Sequence, residues 1–195
     1  MEKVSYALGM SLGHSLINSG VKSINVEKLV KGINDVMQGA PLDLTVEEAQ
    51  VAINDYFQKQ QEQAAAVNIE EGKKFLTENA KRPEITTTES GLQYEVITMG
   101  TGEKPTATDK VSVHYHGTLL DGTVFDSSVR RGQPASFGVN QVISGWVEAL
   151  QHMPVGSKWK LYIPSQLAYG PHGAGELIGP HATLIFEVEL LGIER

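Results

Sequence analysis

The chain contains no cysteine among its 195 residues. This absence excludes disulfides, thiolate nucleophiles and Cys-based zinc sites. Long apolar runs are missing too, since none approaches the roughly 18 residues of a membrane span. The opening residues, MEKVSYALGMSLGHSL, lack the basic head and continuous apolar core of a signal peptide. These absences favour a cytoplasmic protein, with a periplasmic or surface-exposed mature form as the alternative.

Basic residues are few and dispersed. The 16 Lys and Arg residues stand against 23 Asp and Glu, which gives a net charge of −7. Binding to a phosphate backbone needs clustered Lys and Arg, and the sequence has no such run. It therefore predicts no nucleic-acid partner.

Motifs of conventional catalysis are also missing: the chain has no GxSxG, no HExxH and no phosphate-binding loop. His114 and His116 share one face of a predicted strand, but no third ligand follows at a defined spacing, so we interpret them as surface histidines. Asp126 is a carboxylate flanked by apolar and small residues (VFDSS). It is either a partly buried site residue or a group that orders its own turn. No metal or cofactor is predicted.

The first 84 residues have the pattern of helices. Apolar residues recur every three or four positions before Gly20, which is placed as a helix stop, and again up to Gly39. Asn25 has the character of an N-cap for the second helix. Residues 1–84 are therefore predicted to form a helical dimerisation domain.

A third, long helix is predicted over about residues 45–80. Thr45 and Glu48 form a capping box at its start, and no proline follows before Pro83. Roughly 35 residues at ~1.5 Å each give a rod of about 50 Å. Its middle, QKQQEQAAA, is too polar to be buried, which is typical of a solvent-exposed bridge between domains. Two helices with a frayed middle are the alternative.

From Leu92 onward the apolar period changes to two. The segments 92–99, 111–120, 158–163 and 184–190 alternate cleanly, which indicates an antiparallel sheet with one face in water. One short helix fits around residues 146–152. The predicted fold is α+β, with a twisted antiparallel sheet of five strands wrapped around one short helix in residues 85–195. An all-helical N-terminal domain with a long connecting helix precedes it.

Aromatic residues are spread over the predicted strands, loops and short helix of this half. Six of them are Tyr115, Phe125, Phe137, Trp146, Tyr169 and Phe186. By composition most of them would be core residues. Their number in one thin sheet also indicates a lined concave pocket.

Three segments of the second half are specific enough to suggest a family. They are VHYHGTLLDGTVFDSS, QVISGWVEALQHMPVGSKWKLYIPSQLAYG and PHATLIFEVELLGI. In order and spacing they resemble the FKBP-type peptidyl-prolyl isomerases over residues 90–193. The SYALGMSLGHSL opening and the long third helix resemble the dimerisation arm of the bacterial subgroup that includes the macrophage infectivity potentiators. The resemblance implies an isomerase of X-Pro bonds in folding proteins, built as a homodimer.

The same resemblance implies roles for individual residues. It assigns the catalytic site to Tyr115, Phe125, Asp126, Ile143, Trp146, Tyr169 and Phe186, and substrate contacts to Arg131, Phe137, Val142 and Ile178. Trp146 is expected as the floor under the proline ring. The Ile143 N–H and the Tyr169 hydroxyl are expected to bind substrate carbonyls, and Ile178 to come from a flap-like loop.

Three positions depart from the common family pattern, namely Ala135, Ala174 and Gly179. We expect them on the pocket rim, where they would alter substrate preference or loosen macrolide binding. Glycine frees φ where proline fixes it, so Gly179 is also expected to make the flap more mobile.

The missing catalytic motifs agree with this reaction, because rotation about an X-Pro bond breaks no covalent bond. Expected partners are proline-containing unfolded or partly folded proteins, macrolide immunosuppressant-type inhibitors and a second copy of the chain. Gly9 and Gly13, four apart, would let two helices of a dimer approach closely, or they pack within one chain. The alternative function is a chaperone or binding module with a vestigial pocket, whose helical arms hold clients.

Overall fold

The computed structural model describes residues 1–194, which form five α-helices and seven β-strands. The helices are α1 (Glu2–Asn18), α2 (Val26–Gln38), α3 (Val46–Asn79), α4 (Ser128–Arg131) and α5 (Ser144–His152). The strands are β1 (Ile85–Thr87), β2 (Gln93–Thr98), β3 (Lys110–Thr118), β4 (Val124–Ser127), β5 (Ala135–Gly138), β6 (Lys158–Ile163) and β7 (Leu184–Glu194). No helix in this described part is both long and apolar enough to cross a bilayer.

The predicted helix ends are confirmed by their hydrogen bonds. The Asn25 side chain accepts from the Lys28 N–H at 3.0 Å at the start of α2, and Gly39 ends that helix with a φ of +63°. At the start of α3 the Glu48 N–H donates to Thr45 Oγ1 at 3.1 Å, while the Thr45 N–H donates to the Glu48 carboxylate at 2.8 Å. This reciprocal pair is a capping box.

Helix α3 runs without a break for 34 residues, through the polar stretch and through Gly72. The alternative of two helices with a frayed middle is therefore wrong. By its internal contacts the chain divides into two compact units, residues 1–55 and the part from Tyr56 onward, so that the division falls inside α3. The domain boundary predicted at residue 84 marks instead the change from a helical to an alternating apolar pattern. As a domain boundary it stays a prediction.

The first unit has no core of its own. None of its 55 residues is buried. Large apolar side chains are exposed along both of its first helices, with Tyr6 at 74% and Met37 at 79%. Isolated in water, such a surface is unfavourable.

The second unit is built on one antiparallel sheet in the order β1-β2-β6-β7-β3-β4, with β5 also paired to β3. The sequence predicted five strands, and the structure has seven. Alternation located only four of the five, and the three strands that it missed are β1, β4 and β5, which have only three or four residues each. Alternation cannot be recognised over so few positions, and β1 lies before Leu92, where the alternating pattern begins.

The inner face of the sheet packs on α5, as the alternation predicts. Along β3 every second residue is buried, including Val111, Val113 and Tyr115. Leu161 of β6 and Leu150 of α5 are fully buried in the same core. The fold class predicted from sequence is thereby confirmed, with a twisted sheet around a short helix after an all-helical region.

The outer face of the sheet is less exposed to solvent than predicted, because the end of α3 covers part of it. Tyr162, expected to point into water, is only 3% exposed, and its ring lies 5.8 Å from that of Phe75. The Asn79 amide donates to Gln93 Oε1 at 2.9 Å, and the Gln93 amide donates to the Leu76 carbonyl at 2.9 Å. These bonds fix the last turns of α3 on the sheet.

Candidate active site

One cavity of about 750 Å³ lies between the inner face of the sheet, the start of α5 and the loop before β7. Its lining comprises Tyr115, Phe125, Asp126, Phe137, Gln141, Val142, Ile143, Trp146, Tyr169, Ala174, Gly175, Glu176, Leu177, Ile178 and Phe186. Ten of the eleven residues implied by the resemblance are in this set. The exception is Arg131, which contacts two of the lining residues. The structure thus brings the predicted residues together around one space.

Trp146 is the centre of an aromatic cluster beneath this cavity. Its ring meets those of Tyr115, Phe137 and Phe186 edge-on, with centroids 5.4, 5.9 and 5.2 Å away. Edge-to-face contacts are the preferred geometry between aromatic rings. The indole is only 4% exposed, so the cluster holds it in a fixed orientation.

A glycine makes room for two walls of the cavity. Gly117 of β3 pairs with Phe186 of β7. A Cβ at this position would lie 2.7 Å from the rings of both Phe125 and Phe186. The two phenylalanines can therefore pack edge-on, with centroids 5.3 Å apart, only because residue 117 has no side chain.

The polar side of the cavity is a three-residue cluster. The Asp126 carboxylate accepts hydrogen bonds from the Tyr115 hydroxyl and from Arg131. Arg131 Nη2 also donates to the Tyr115 hydroxyl oxygen at 2.8 Å. Helix α4 makes this possible, since Ser127 caps it by accepting from the Arg130 N–H at 3.1 Å and the single turn carries Arg131 back to Asp126.

This cluster fixes the protonation states of its members. Burial alone would raise the pKa of Asp126, but the hydrogen bonds from Tyr115 and Arg131 outweigh it and lower that pKa below its ordinary value. Burial raises the pKa of the Tyr115 hydroxyl, and the bond to Asp126 raises it further. Burial, followed by the charge of Asp126, also raises the pKa of Tyr169. At neutral pH the carboxylate is ionised and both phenols are neutral.

Two hydrogen-bond donors at the cavity remain available. Within residues 1–194 neither the Ile143 N–H nor the Tyr169 hydroxyl has a hydrogen-bond partner. Ile143 is the N-cap of α5, where the helix dipole favours the approach of an oxygen. These are the two groups that the resemblance implies as binders of substrate carbonyls.

The flap, defined here as residues 174–178, closes one side of the cavity. Ala174 and Ile178 form a bridge in which the Ala174 N–H donates to the Ile178 carbonyl at 2.8 Å and the Ile178 N–H donates back at 3.2 Å. The sequence identified Ile178 but missed Gly175, Glu176 and Leu177. A short loop without periodicity gives no signal for which of its side chains face a cavity.

Only one of the three departures from the family pattern lines the cavity. Ala174 does so, but Ala135 pairs with Val113 inside the sheet and Gly179 lies against Asn68 of α3. Ala135 and Gly179 do not line the cavity, and their expected place on its rim stays a prediction. Both are placed by strand pairing and helix docking, which their immediate sequence does not encode.

The histidines of β3 lie outside the cavity. Nδ1 of His114 is 3.1 Å from the Ser128 hydroxyl, and Nδ1 of His116 is 3.0 Å from the Ser127 hydroxyl. Among the residues that the structure describes, no group of three or more His, Asp or Glu side chains could hold a metal ion.

Comparison with known proteins agrees with this geometry. The model of the FKBP-type peptidyl-prolyl cis-trans isomerase family matches residues 101–191, and that of the domain amino terminal to FKBP-type peptidyl-prolyl isomerase matches residues 1–96. The chain is 50% identical to the FKBP-type 22 kDa peptidyl-prolyl cis-trans isomerase of Escherichia coli K12, over 98% of this chain and 94% of that protein. It is 45% identical to the outer membrane protein MIP of Legionella longbeachae, over 100% of this chain and 86% of that protein.

A solved structure supports the same assignment. The crystal structure of FkpA from Escherichia coli superposes with a TM-score of 0.77 at 38% identity, covering 98% of this chain and 95% of that one. Family models, relatives and fold thus agree over nearly the whole sequence, and the chain belongs to the FKBP-type peptidyl-prolyl cis-trans isomerases.

Proposed function

We propose that the cavity above Trp146 is where this isomerase binds the prolyl ring of its protein substrates. The observation that carries the proposal is the closed aromatic cluster, in which three rings hold the indole as a flat apolar floor. A five-membered apolar ring fits such a surface. Phe125 and Phe186 are its walls.

Catalysis in this site needs no nucleophile. Rotation about an X-Pro bond faces a barrier of roughly 18–20 kcal/mol because amide resonance is lost at the perpendicular geometry. A dry aromatic pocket withholds water from the amide, which disfavours the charge-separated planar form relative to the twisted one. The pocket therefore binds the transition state more tightly than the ground state.

The polar groups orient the substrate in this proposal. The Ile143 N–H and the Tyr169 hydroxyl donate to carbonyls on either side of the proline. Asp126 and Arg131 act through Tyr115, whose hydroxyl they fix at the cavity wall. Arg131 is thus a positioning residue that does not itself line the cavity.

The activity is expected to be nearly independent of pH between about 6 and 9. The pKa of Asp126 is lowered, so its hydrogen bonds are complete above its ordinary value of about 3.9 and are lost only as the pH falls through the lower one. The pKa values of Tyr115 and Tyr169 are raised, so both stay neutral throughout this range. We expect kcat/KM for a tetrapeptide to change less than about twofold. A steep step near pH 6.5, the ordinary histidine value, would contradict the mechanism.

Tyr169→Phe is expected to weaken binding by about three- to tenfold, the worth of one hydrogen bond. We propose macrolide immunosuppressant-type inhibitors as ligands of this cavity, because they too present carbonyls and apolar rings to it. Calorimetric titration with such a macrolide measures the affinity. Tyr94→Phe is the matched control, since Tyr94 stacks on Trp159 at 4.4 Å and does not line the cavity. Equal affinities of the Tyr169 variant and the wild-type protein would show that the Tyr169 hydroxyl does not bind the ligand.

We further propose that residues 1–55 form a homodimer and that this dimer binds unfolded clients. The support is the first unit itself, which exposes apolar side chains along its helices and buries none. Among residues 1–194, a Cβ built on Gly9 or Gly13 has no contact within 4 Å beyond its chain neighbours and the backbone of α1. This favours a role for both glycines outside the packing of one chain. A second copy of α1 fits this bare surface.

A further inference from the structure

The segment 179–183, which joins the flap to β7, rests on helix α3. Nδ2 of Asn68 donates to the carbonyl oxygen of Pro180 at 2.8 Å. One turn further along α3, Gly72 faces Thr183, where an added Cβ would lie 2.4 Å from the threonine hydroxyl. The helix therefore contacts this segment at both ends.

Gly179 is what allows the first of these contacts. A Cβ on Gly179 would lie 3.3 Å from Asn68 Nδ2, which is tighter than an ordinary contact. An alanine here would require the Asn68 amide, which bonds to the Pro180 carbonyl, to shift by a few tenths of an ångström. The contact with Asn68 of α3 thus gives a reason for glycine at position 179.

The segment 179–183 contains a strained residue, which contacts from other parts of the chain must stabilise. His181 has a φ of +56°, and it is the one non-glycine residue among residues 1–194 in the left-handed region. This conformation is unfavourable for a residue with a Cβ. The His181 N–H donates to the Gly170 carbonyl at 2.8 Å, so this strained position is tied to the loop that follows Tyr169.

We propose that Asn68 is a positioning residue for the active site, which fixes the C-terminal end of the flap from the outside of the domain. The inference rests on the proposed function of the cavity. Ile178 and Ala174 line the cavity on the inner side of the flap, and Pro180 is held two residues further on. Helix α3 thereby limits the freedom of the flap and increases the affinity of the cavity for prolyl peptides.

The test uses the full-length chain carrying Asn68→Ala. We expect the Ala174 and Ile178 amides, which form the flap bridge, to exchange hydrogen roughly threefold faster or more. KM for an X-Pro tetrapeptide should rise about threefold while kcat stays within twofold, since binding and not chemistry is affected. Asn54→Ala is the matched control, because Asn54 is exposed on the same helix and bonds only to Gln50, one turn earlier.

A double-mutant cycle isolates the contact. Gly179→Ala should raise KM in the wild-type background and have no further effect in the Asn68→Ala background, because the crowded amide is then absent. Additive effects of the two changes would overturn the proposed contact.

The remaining outcomes are distinct. Unchanged flap exchange in Asn68→Ala overturns the tether whatever the activity. Faster flap exchange with unchanged KM overturns the role of Asn68 in substrate binding. Faster exchange throughout the sheet, together with a lower melting temperature, overturns the proposal as well, because Asn68 then has a general structural role. Failure of the cavity assignment would appear elsewhere, as full activity of a variant that lacks both Phe125 and Asp126.

Discussion

The double variant Phe125→Ala/Asp126→Val is expected to lose about 100-fold or more in kcat/KM for X-Pro tetrapeptides, which corresponds to about 3 kcal/mol of transition-state stabilisation. Phe125 is a wall of the cavity and packs edge-on against Phe186. Asp126 is the acceptor for the Tyr115 hydroxyl and for Arg131. Valine removes the carboxylate and accepts no hydrogen bond, so the hydroxyl at the wall is left without its acceptor.

The fold should survive this change. Asp126 is 44% exposed at its side chain, and Phe125 lies at the edge of the core and not within it. Circular dichroism and a melting curve check this point. Val129→Ala is the matched control, because Val129 lies on α4 between Asp126 and Arg131, is 58% exposed and does not line the cavity. Full activity in the folded double variant would refute the site assignment.

The variant Gly9→Leu/Gly13→Leu is expected to convert a dimer into a monomer. The two glycines lie four residues apart on α1, and a Cβ added at either has no contact within 4 Å beyond its chain neighbours and the backbone of α1. Leucine side chains there would collide with a second helix that approaches this face. Light scattering should give twice the 21.2 kDa chain mass for the wild-type protein and 21.2 kDa for the variant.

Two activity assays on this variant separate isomerisation from client binding. We expect tetrapeptide isomerisation to stay within about twofold of wild type and the refolding of a proline-limited protein to slow several-fold, because client binding depends on two linked copies. Gln61→Leu is the control, since it adds one leucine to an exposed polar turn of α3. A wild-type protein of 21.2 kDa in solution, or a dimer that tolerates both leucines, would contradict the proposal.

The parts of the fold that follow local rules could be predicted from sequence. The alternation of Val111, Val113 and Tyr115 predicted the buried face of β3, and the Thr45–Glu48 pair predicted the start of α3. Both signals come from neighbouring residues, so no knowledge of tertiary packing is needed. The site residues came from the family resemblance, because nothing in their spacing brings Phe125, Trp146 and Tyr169 to one cavity.

The docking of α3 on the sheet could not be predicted. Tyr162 alternates like a solvent-facing residue, and only the arrival of Phe75 and Arg82 from a distant segment buries it. Asn68 is one polar residue among many on a polar helix face. Its contact with Pro180 spans 112 residues of sequence, which no local pattern encodes.

The position of β7 determines when this enzyme can become active during its own synthesis. The last strand of the sheet lies in its interior, paired with β6 on one side and β3 on the other, and it carries Phe186 into the cavity. A chain in which β7 has not yet been made lacks the central strand and the Phe186 ring that packs against Trp146. The inner edges of β3 and β6 are then unpaired, and open strand edges promote aggregation. Residues 1–55, which we propose to bind clients, are therefore made before the strand that completes the isomerase site.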